Sequence, residues 1–232
     1  EEHLGGNLIA AAAMPLKVGM QKFRDYFIRK VTESGADIRL NCEATPELIS
    51  SLAPDALVIA VGAVPSFPDV PGIDLPHVYS CLDAELGKCE TGDRIVVIGG
   101  ASLGLECGAS FAMLGKNVTV IEMLPQLPYN PTQGNEQLTE MIEKAGGKVI
   151  TGRRLAGVWE DRVLCVVVGS GKLEEYPCDT VLMATGMKAR EGVVEALRHV
   201  IPETEIHIVG DARKPQMLGD AIRGGFDAAL AI

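Results

Sequence analysis

No stretch of this 232-residue chain stays apolar for the ~18 residues that a bilayer crossing requires. The run from Leu8 to Met14 is apolar but follows the acidic Glu1-Glu2, so it does not read as a signal peptide. Positive charge is scarce: 21 Lys and Arg face 31 Asp and Glu, a formal net charge of −10. Polyanion binding needs clustered cations, so a nucleic-acid partner is excluded. The basic pairs Arg153-Arg154 and Arg213-Lys214 read as solvated surface, with nucleotide contact as the alternative. Six cysteines (Cys42, Cys81, Cys89, Cys107, Cys165, Cys178) show no Cys-x-x-Cys spacing. That removes a redox-active thiol pair, an iron–sulfur cluster and a zinc site. Cys107 and Cys165 lie in apolar context, where a buried free thiol is expected, and a reducing cytoplasm fits better than a disulfide framework. The histidines are scattered, and His207 alternates with Ile206 and Ile208 in a strand, a structural or surface position. Low-complexity tracts are absent, and 47% hydrophobic with 22% charged residues point to a folded soluble protein of one or two domains.

What the chain does have is Arg94-Ile-Val-Val-Ile-Gly-Gly-Ala-Ser-Leu-Gly-Leu-Glu106, then Asn117-Val-Thr-Val-Ile-Glu122. This is the pattern of a buried strand, a glycine turn, a helix, and a second strand ending in a carboxylate, the start of a dinucleotide-binding βαβ unit. Gly99 makes the tight turn, and Gly104 lets the helix pack closely on the sheet. The helix N-terminus offers free N–H groups and positive dipole to a pyrophosphate. Glu122 lies 122 − 99 = 23 positions after the first glycine, placed to accept hydrogen bonds from an adenosine ribose. The middle glycine of the pattern is replaced by Ala101, whose Cβ would crowd the pyrophosphate. The alternative for this motif alone is a βαβ turn that only packs. Glu122 would repel a 2′-phosphate and Met123-Leu124-Pro125 carries no cation, so NADH is expected over NADPH.

Two further strands end at glycine turns, Asp55-Ala-Leu-Val-Ile-Ala-Val-Gly-Ala-Val-Pro65 and Cys178-Asp-Thr-Val-Leu-Met-Ala-Thr-Gly-Met187. A third, Glu205-Ile-His-Ile-Val-Gly-Asp211, ends in a carboxylate ahead of a helix from Gly219 to Ile232. Together these motifs resemble the two-dinucleotide-fold flavoprotein reductases. Leu4-Gly-Gly-Asn-Leu8, the Phe23 to Arg29 helix, Gly35-Ala-Asp-Ile-Arg-Leu-Asn41, Gly210-Asp-Ala-Arg-Lys-Pro215 and Asp220-Ala-Ile-Arg-Gly-Gly-Phe226 narrow the resemblance. They are similar to the C-terminal region of the NADH:flavin oxidoreductases related to Old Yellow Enzyme, the 2,4-dienoyl-CoA reductase, enoate reductase and trimethylamine dehydrogenase group. The resemblance implies an α/β fold, with a Rossmann-like, doubly wound NAD-binding domain inserted in a partial FAD-binding domain. It places NADH on Gly99, Gly100, Ala101, Ser102, Leu103, Gly104 and Glu122. Gly186 would allow close backbone approach near the nicotinamide. Glu106 would point toward the flavin–nicotinamide contact, an exposed helix carboxylate being the alternative. Gly5, Gly6, Gly62, Gly210 and Asp211 would line the flavin, with Asp211 on its ribityl chain.

Local patterns divide the chain further. Apolar spacing from 17 to 34 predicts a helix ended by Gly35, and Ile38 to Leu40 a short strand. Thr45-Pro46 opens a helix to Leu52, and the proline-rich 65–76 reads as a crossing between domains. A helix from Gln133 to Lys144 and a strand from Lys148 to Ile150 complete a βαβαβ half-fold. Leu155–Trp159, Arg162–Val168 and Lys172–Tyr176 read as an antiparallel meander covering the sheet. The expected domains are 91–187 for NAD, and 1–90 with 188–232 for FAD. In the resembling enzymes a barrel with FMN and an iron–sulfur cluster, and the first glycine motif of the FAD domain, lie upstream of the region matched here. The chain is therefore expected to be a fragment, inactive alone and poor at binding FAD. Its central sheet edge would be open to association, including a homo-oligomer. The expected function is the electron-transfer part of a flavin-dependent NADH oxidoreductase acting on enoyl or dienoyl substrates. The alternative is a structural domain that holds ADP.

Overall fold

The computed structural model describes residues 1–15, 17–128, 134–200 and 204–232. It opens with α1 (Asn7–Ala11), α2 (Val18–Glu33) and α3 (Pro46–Leu52), then β1 (Ala56–Ile59), β2 (Ala63–Pro65) and β3 (Val78–Ser80). The short α4 (Cys81–Glu85) leads to β4 (Arg94–Ile98), α5 (Ser102–Met113), β5 (Asn117–Ile121), α6 (Asn135–Lys144) and β6 (Lys148–Ile150). Next come β7 (Arg153–Val158), β8 (Arg162–Val167), β9 (Leu173–Pro177) and β10 (Thr180–Met183). The chain ends with β11 (Met187–Ala189), α7 (Glu191–Arg198), β12 (Glu205–Ile208) and α8 (Leu218–Ala231). Gln133, the expected start of α6, lies outside the described residues. No helix among the described residues is long and apolar enough to cross a membrane.

Two compact units emerge, one of Glu1–Gly6, Val31–Ser66 and Met187–Ile232, the other of Asn7–Lys30 and Phe67–Gly186. The second unit holds a parallel sheet of order β3-β10-β4-β5-β6. The central strands β4, β5 and β10 are apolar through most of their length because both faces are covered. Alternation sends Ile95 and Val97 to one face, where Leu105, Cys107 and Phe111 of α5 and Ile142 of α6 pack on them. Val96 and Ile98 point to the other face, against Leu155, Val158, Val163 and Cys165. Those residues belong to the β7-β8-β9 antiparallel meander, which forms where its turn signals place it. Each fully buried Val, Leu or Ile of these layers contributes roughly 1.5–3 kcal/mol. Helix α5 sits close to the sheet because a Cβ at Gly108 would lie 2.8 Å from Val120 Cγ2.

The unit carrying this sheet is larger than residues 91–187. β3 hydrogen-bonds β10 in parallel, Val78 opposite Val181, so the segment from Phe67 belongs with it, and residues 7–30 do as well. A three-residue strand has too short a period to announce its partner.

In the first unit β1 and β12 pair in parallel, Ile59 opposite Ile208, and β2 pairs antiparallel with β11. Ile59, Val194, Leu197 and Ala212 form its core. Thr45 caps α3, its Oγ1 accepting from Leu48 N at 3.3 Å, with Pro46 in the first turn as the sequence predicts. The short strand expected at Ile38–Leu40 does not form. That segment is irregular and leaves Leu40 exposed. It closes in a turn at Asn41, whose backbone is left-handed (φ 51) and whose N–H donates to Glu1 O.

Candidate nucleotide site

The site is built where β4 ends. Gly99 carries φ +108, and a Cβ on it would stand 2.4 Å from the Ala184 carbonyl oxygen. Only glycine fits a left-handed residue pressed against a neighbouring backbone. The turn is pinned from both sides: Gly99 N donates to Ile121 O, and Ala184 N to Ile98 O, each at 2.8 Å. Gly104, one turn into α5, would place a Cβ 1.8 Å from Gly99 O, so helix and turn are in direct backbone contact. The N-cap of α5 is Ala101, in extended geometry (φ −76, ψ 179), with no side-chain cap. Ala101 is exposed, and Ser102 and Leu103 are half-buried at the mouth. A 12-residue helix whose N-cap residue supplies no side-chain cap presents N–H donors and positive partial charge to an anion.

Glu122 is 5% exposed and holds this turn open. Its Oε2 accepts from Gly100 N at 2.7 Å and its Oε1 from Leu124 N at 2.8 Å. Gly100 is the residue the turn needs there, because a Cβ would meet Leu127 Cδ2 at 2.7 Å and Glu122 Cβ at 2.8 Å. Each carboxylate oxygen keeps a second lone pair, enough for a ribose hydroxyl. Gly99 through Gly104 and Glu122 therefore come together as the sequence predicts. Gly186 follows two residues after Ala184, exposed at the end of the adjacent strand β10. The uncapped helix start, the close backbone approach and the fixed carboxylate fit a dinucleotide pyrophosphate and ribose.

Glu106 is not the exposed helix carboxylate of the alternative reading. It is 9% exposed and accepts from Lys17 Nζ at 2.5 Å, while the same ammonium donates to Ala11 O at 2.9 Å. Lys17 was missed from sequence, because nothing local joins residues 89 positions apart. Nearby, burial raises the Glu85 carboxyl above its ordinary range, and Ser110 Oγ donates to it at 3.4 Å. Three buried thiols are poor nucleophiles. A hydrogen bond to Cys81 and burial hold Cys107 well above the usual thiol range, and burial pushes Cys165 to about 12 and Cys178 to about 11.

In the first unit Gly62, Gly210 and Asp211 come just after the C-terminal ends of the paired strands β1 and β12, where open parallel sheets take ligands. Asp211 Oδ1 accepts from Gln216 N at 3.2 Å. A cavity of about 850 Å³ opens there, with His207, Gly210, Asp211, Arg213 and Lys214 in its wall. Gly5 and Gly6 form a turn just before α1.

A glycine turn, a bare helix start and a strand-end carboxylate on a parallel sheet define a dinucleotide-binding α/β protein. Residues 8–208 match the pyridine nucleotide-disulphide oxidoreductase family, and the chain belongs to it. It is thus an oxidoreductase domain of the FAD- and NAD(P)H-binding kind. It is 29% identical to an NADH oxidase of Thermoanaerobacter brockii over 244 residues, 100% of this chain and 36% of that protein. A bilirubin reductase of Mediterraneibacter gnavus is also 29% identical, over 99% of this chain and 35% of its own length. Among solved structures, 2-naphthoyl-CoA reductase in complex with 2-naphthoyl-CoA superposes with a TM-score of 0.91 at 29% identity, over 100% of this chain and 35% of that one. The chain thus spans about a third of the length of these relatives.

Proposed function

We propose that this chain is the pyridine-nucleotide-binding, electron-transfer part of a flavin-dependent NADH oxidoreductase of the Old Yellow Enzyme-related group. The observation that carries this reading is the bare N-terminus of α5, set against Gly99 and braced by the Glu122 carboxylate. Gly99, Gly100, Ala101, Ser102, Leu103 and Gly104 would hold the NADH pyrophosphate, and Glu122 its ribose. Nicotinamide and flavin, when bound, supply the hydride chemistry, while the protein positions them and keeps water out. Gly186 would give the nicotinamide end a side-chain-free approach. Glu106 would stand on the flavin-facing side of α5, its charge neutralised by Lys17. Gly5, Gly6, Gly62, Gly210 and Asp211 would serve the flavin, and the unit that carries them the FAD half. The remaining two thirds of the enzyme, including a barrel with FMN and an iron–sulfur cluster, would hold the substrate, an activated alkene. Relatives named for the reduction of bilirubin and of 2-naphthoyl-CoA support a conjugated acceptor. A cytoplasmic location fits the free cysteines.

Ala101→Gly tests the placement. The exposed Cβ sits at the closest backbone approach to the pyrophosphate, so removing it is expected to strengthen NADH binding by on the order of 1 kcal/mol, roughly fivefold. Fluorescence titration with NADH reads the change. Unaltered or weaker binding would place the nucleotide elsewhere.

A further inference from the structure

Glu122 is a poor sole judge of which nucleotide enters. Its carboxylate is buried, and both oxygens already serve as struts for Gly100 N and Leu124 N. The chain after β6 returns beside Glu122: Gly152 N donates to Leu124 O at 2.8 Å, and Arg153 N to Glu122 O at 2.9 Å. Gly152 and Arg153 are thus clamped along the loop that carries the ribose carboxylate, and Arg154 is the next residue along β7. The two arginines there are not equivalent. Arg153 is engaged, its Nη1 donating to Thr151 O at 2.8 Å and its Nε to Glu174 at 3.2 Å. Strand alternation turns Arg154 to the opposite face of β7, where it is exposed and has no ion pair among the described residues. It is an uncommitted cation one residue beyond the backbone bond to Glu122, and the loop itself, Met123-Leu124-Pro125, has none.

We propose that Arg154 reads the 2′ position of the adenosine ribose, so that the site accepts a 2′-phosphorylated nucleotide that Glu122 alone would exclude. This rests on the nucleotide lying along the 99–122 turn. A guanidinium pairs with a phosphate through two parallel charge-assisted hydrogen bonds, which a ribose hydroxyl cannot offer it. Arg154 therefore acts on NADPH and leaves NADH almost untouched. The site still favours NADH, because Glu122 opposes the phosphate, but by a narrower margin than the carboxylate would impose unaided.

The experiment is a parallel titration of wild type, Arg154→Ala and Arg154→Lys with NADH and NADPH. For Arg154→Ala, NADPH affinity is expected to fall roughly tenfold, the cost of a lost charge-assisted contact, with NADH constant within about twofold. Arg154→Lys keeps the charge without the fork and is expected to fall between. The slope of NADPH affinity against salt is expected to flatten in Arg154→Ala. Unchanged NADPH affinity in both variants overturns the proposal, and so does an equal loss for both nucleotides, which would put Arg154 on their shared part. If the wild type binds neither, the reading of the turn fails with it. Normal NADH binding with unmoved NADPH binding defeats the Arg154 assignment alone.

Discussion

Lys17→Met is expected to destabilise the unit built on the five-stranded sheet by about 3–5 kcal/mol, the range for stripping one partner from a buried ion pair. Lys17 and Glu106 side chains are only 18% and 12% exposed, so little water would reach the abandoned carboxylate. Methionine keeps the length and apolar stem of lysine, which isolates the loss of charge. In thermal unfolding the change corresponds to a midpoint lowered by roughly 6–20 °C for a unit of this size. Replacing both partners, Lys17→Met with Glu106→Leu, removes the orphaned charge and is expected to recover most of the loss. A midpoint within about 2 °C of wild type for Lys17→Met would show that the pair is solvated and carries no weight in the fold.

Gly104→Ala is the second large effect, and it strikes binding as well as stability. The added methyl would lie 1.8 Å from Gly99 O and 3.1 Å from Ala184 Cβ. Both obstacles are fixed, the first being the backbone of the turn itself, so α5 has to move away from the sheet. Overpacking of this kind costs typically 1–3 kcal/mol, and displacement of the helix start should weaken NADH by at least about tenfold. Gly192→Ala supplies the control. Gly192 lies in α7 with nothing within 4 Å of its added Cβ, so helix propensity should make that change neutral or stabilising by about 0.5–1 kcal/mol. Calorimetry and nucleotide titration of the two variants check the contrast. Equal behaviour would remove the argument for close packing at residue 104.

The parts of this site that could be read from sequence are those written in short-range chemistry. Gly99, Gly104 and Glu122 fall within one βαβ unit, and each has a steric or hydrogen-bonding reason to occupy its place. The meander was legible for the same reason, since alternation and turn residues repeat over a few positions. Long-range pairings were not. Lys17 meets Glu106 across 89 positions, and β3 joins β10 across about a hundred, with no local period to signal either. Sequence spacing suggests Glu122 as a ribose ligand, a role that stays a proposal, and its two backbone struts appear only once the strand ends are brought together. Arg154 read as solvated surface because the backbone bond from Arg153 to Glu122, which brings its strand to the turn, spans 31 positions in sequence. Ile38–Leu40 shows the converse: the residues suit a strand, yet no partner strand is presented to them, and the segment stays irregular.

Titration of the wild-type 232-residue chain with NADH, followed by nicotinamide fluorescence, tests most directly whether the turn from Gly99 to Glu122 is the nucleotide site. Saturable binding of one NADH per chain is expected, strengthened by Ala101→Gly and weakened by Gly104→Ala. Absence of saturable NADH binding, or NADH binding that neither Ala101→Gly nor Gly104→Ala changes, would contradict it.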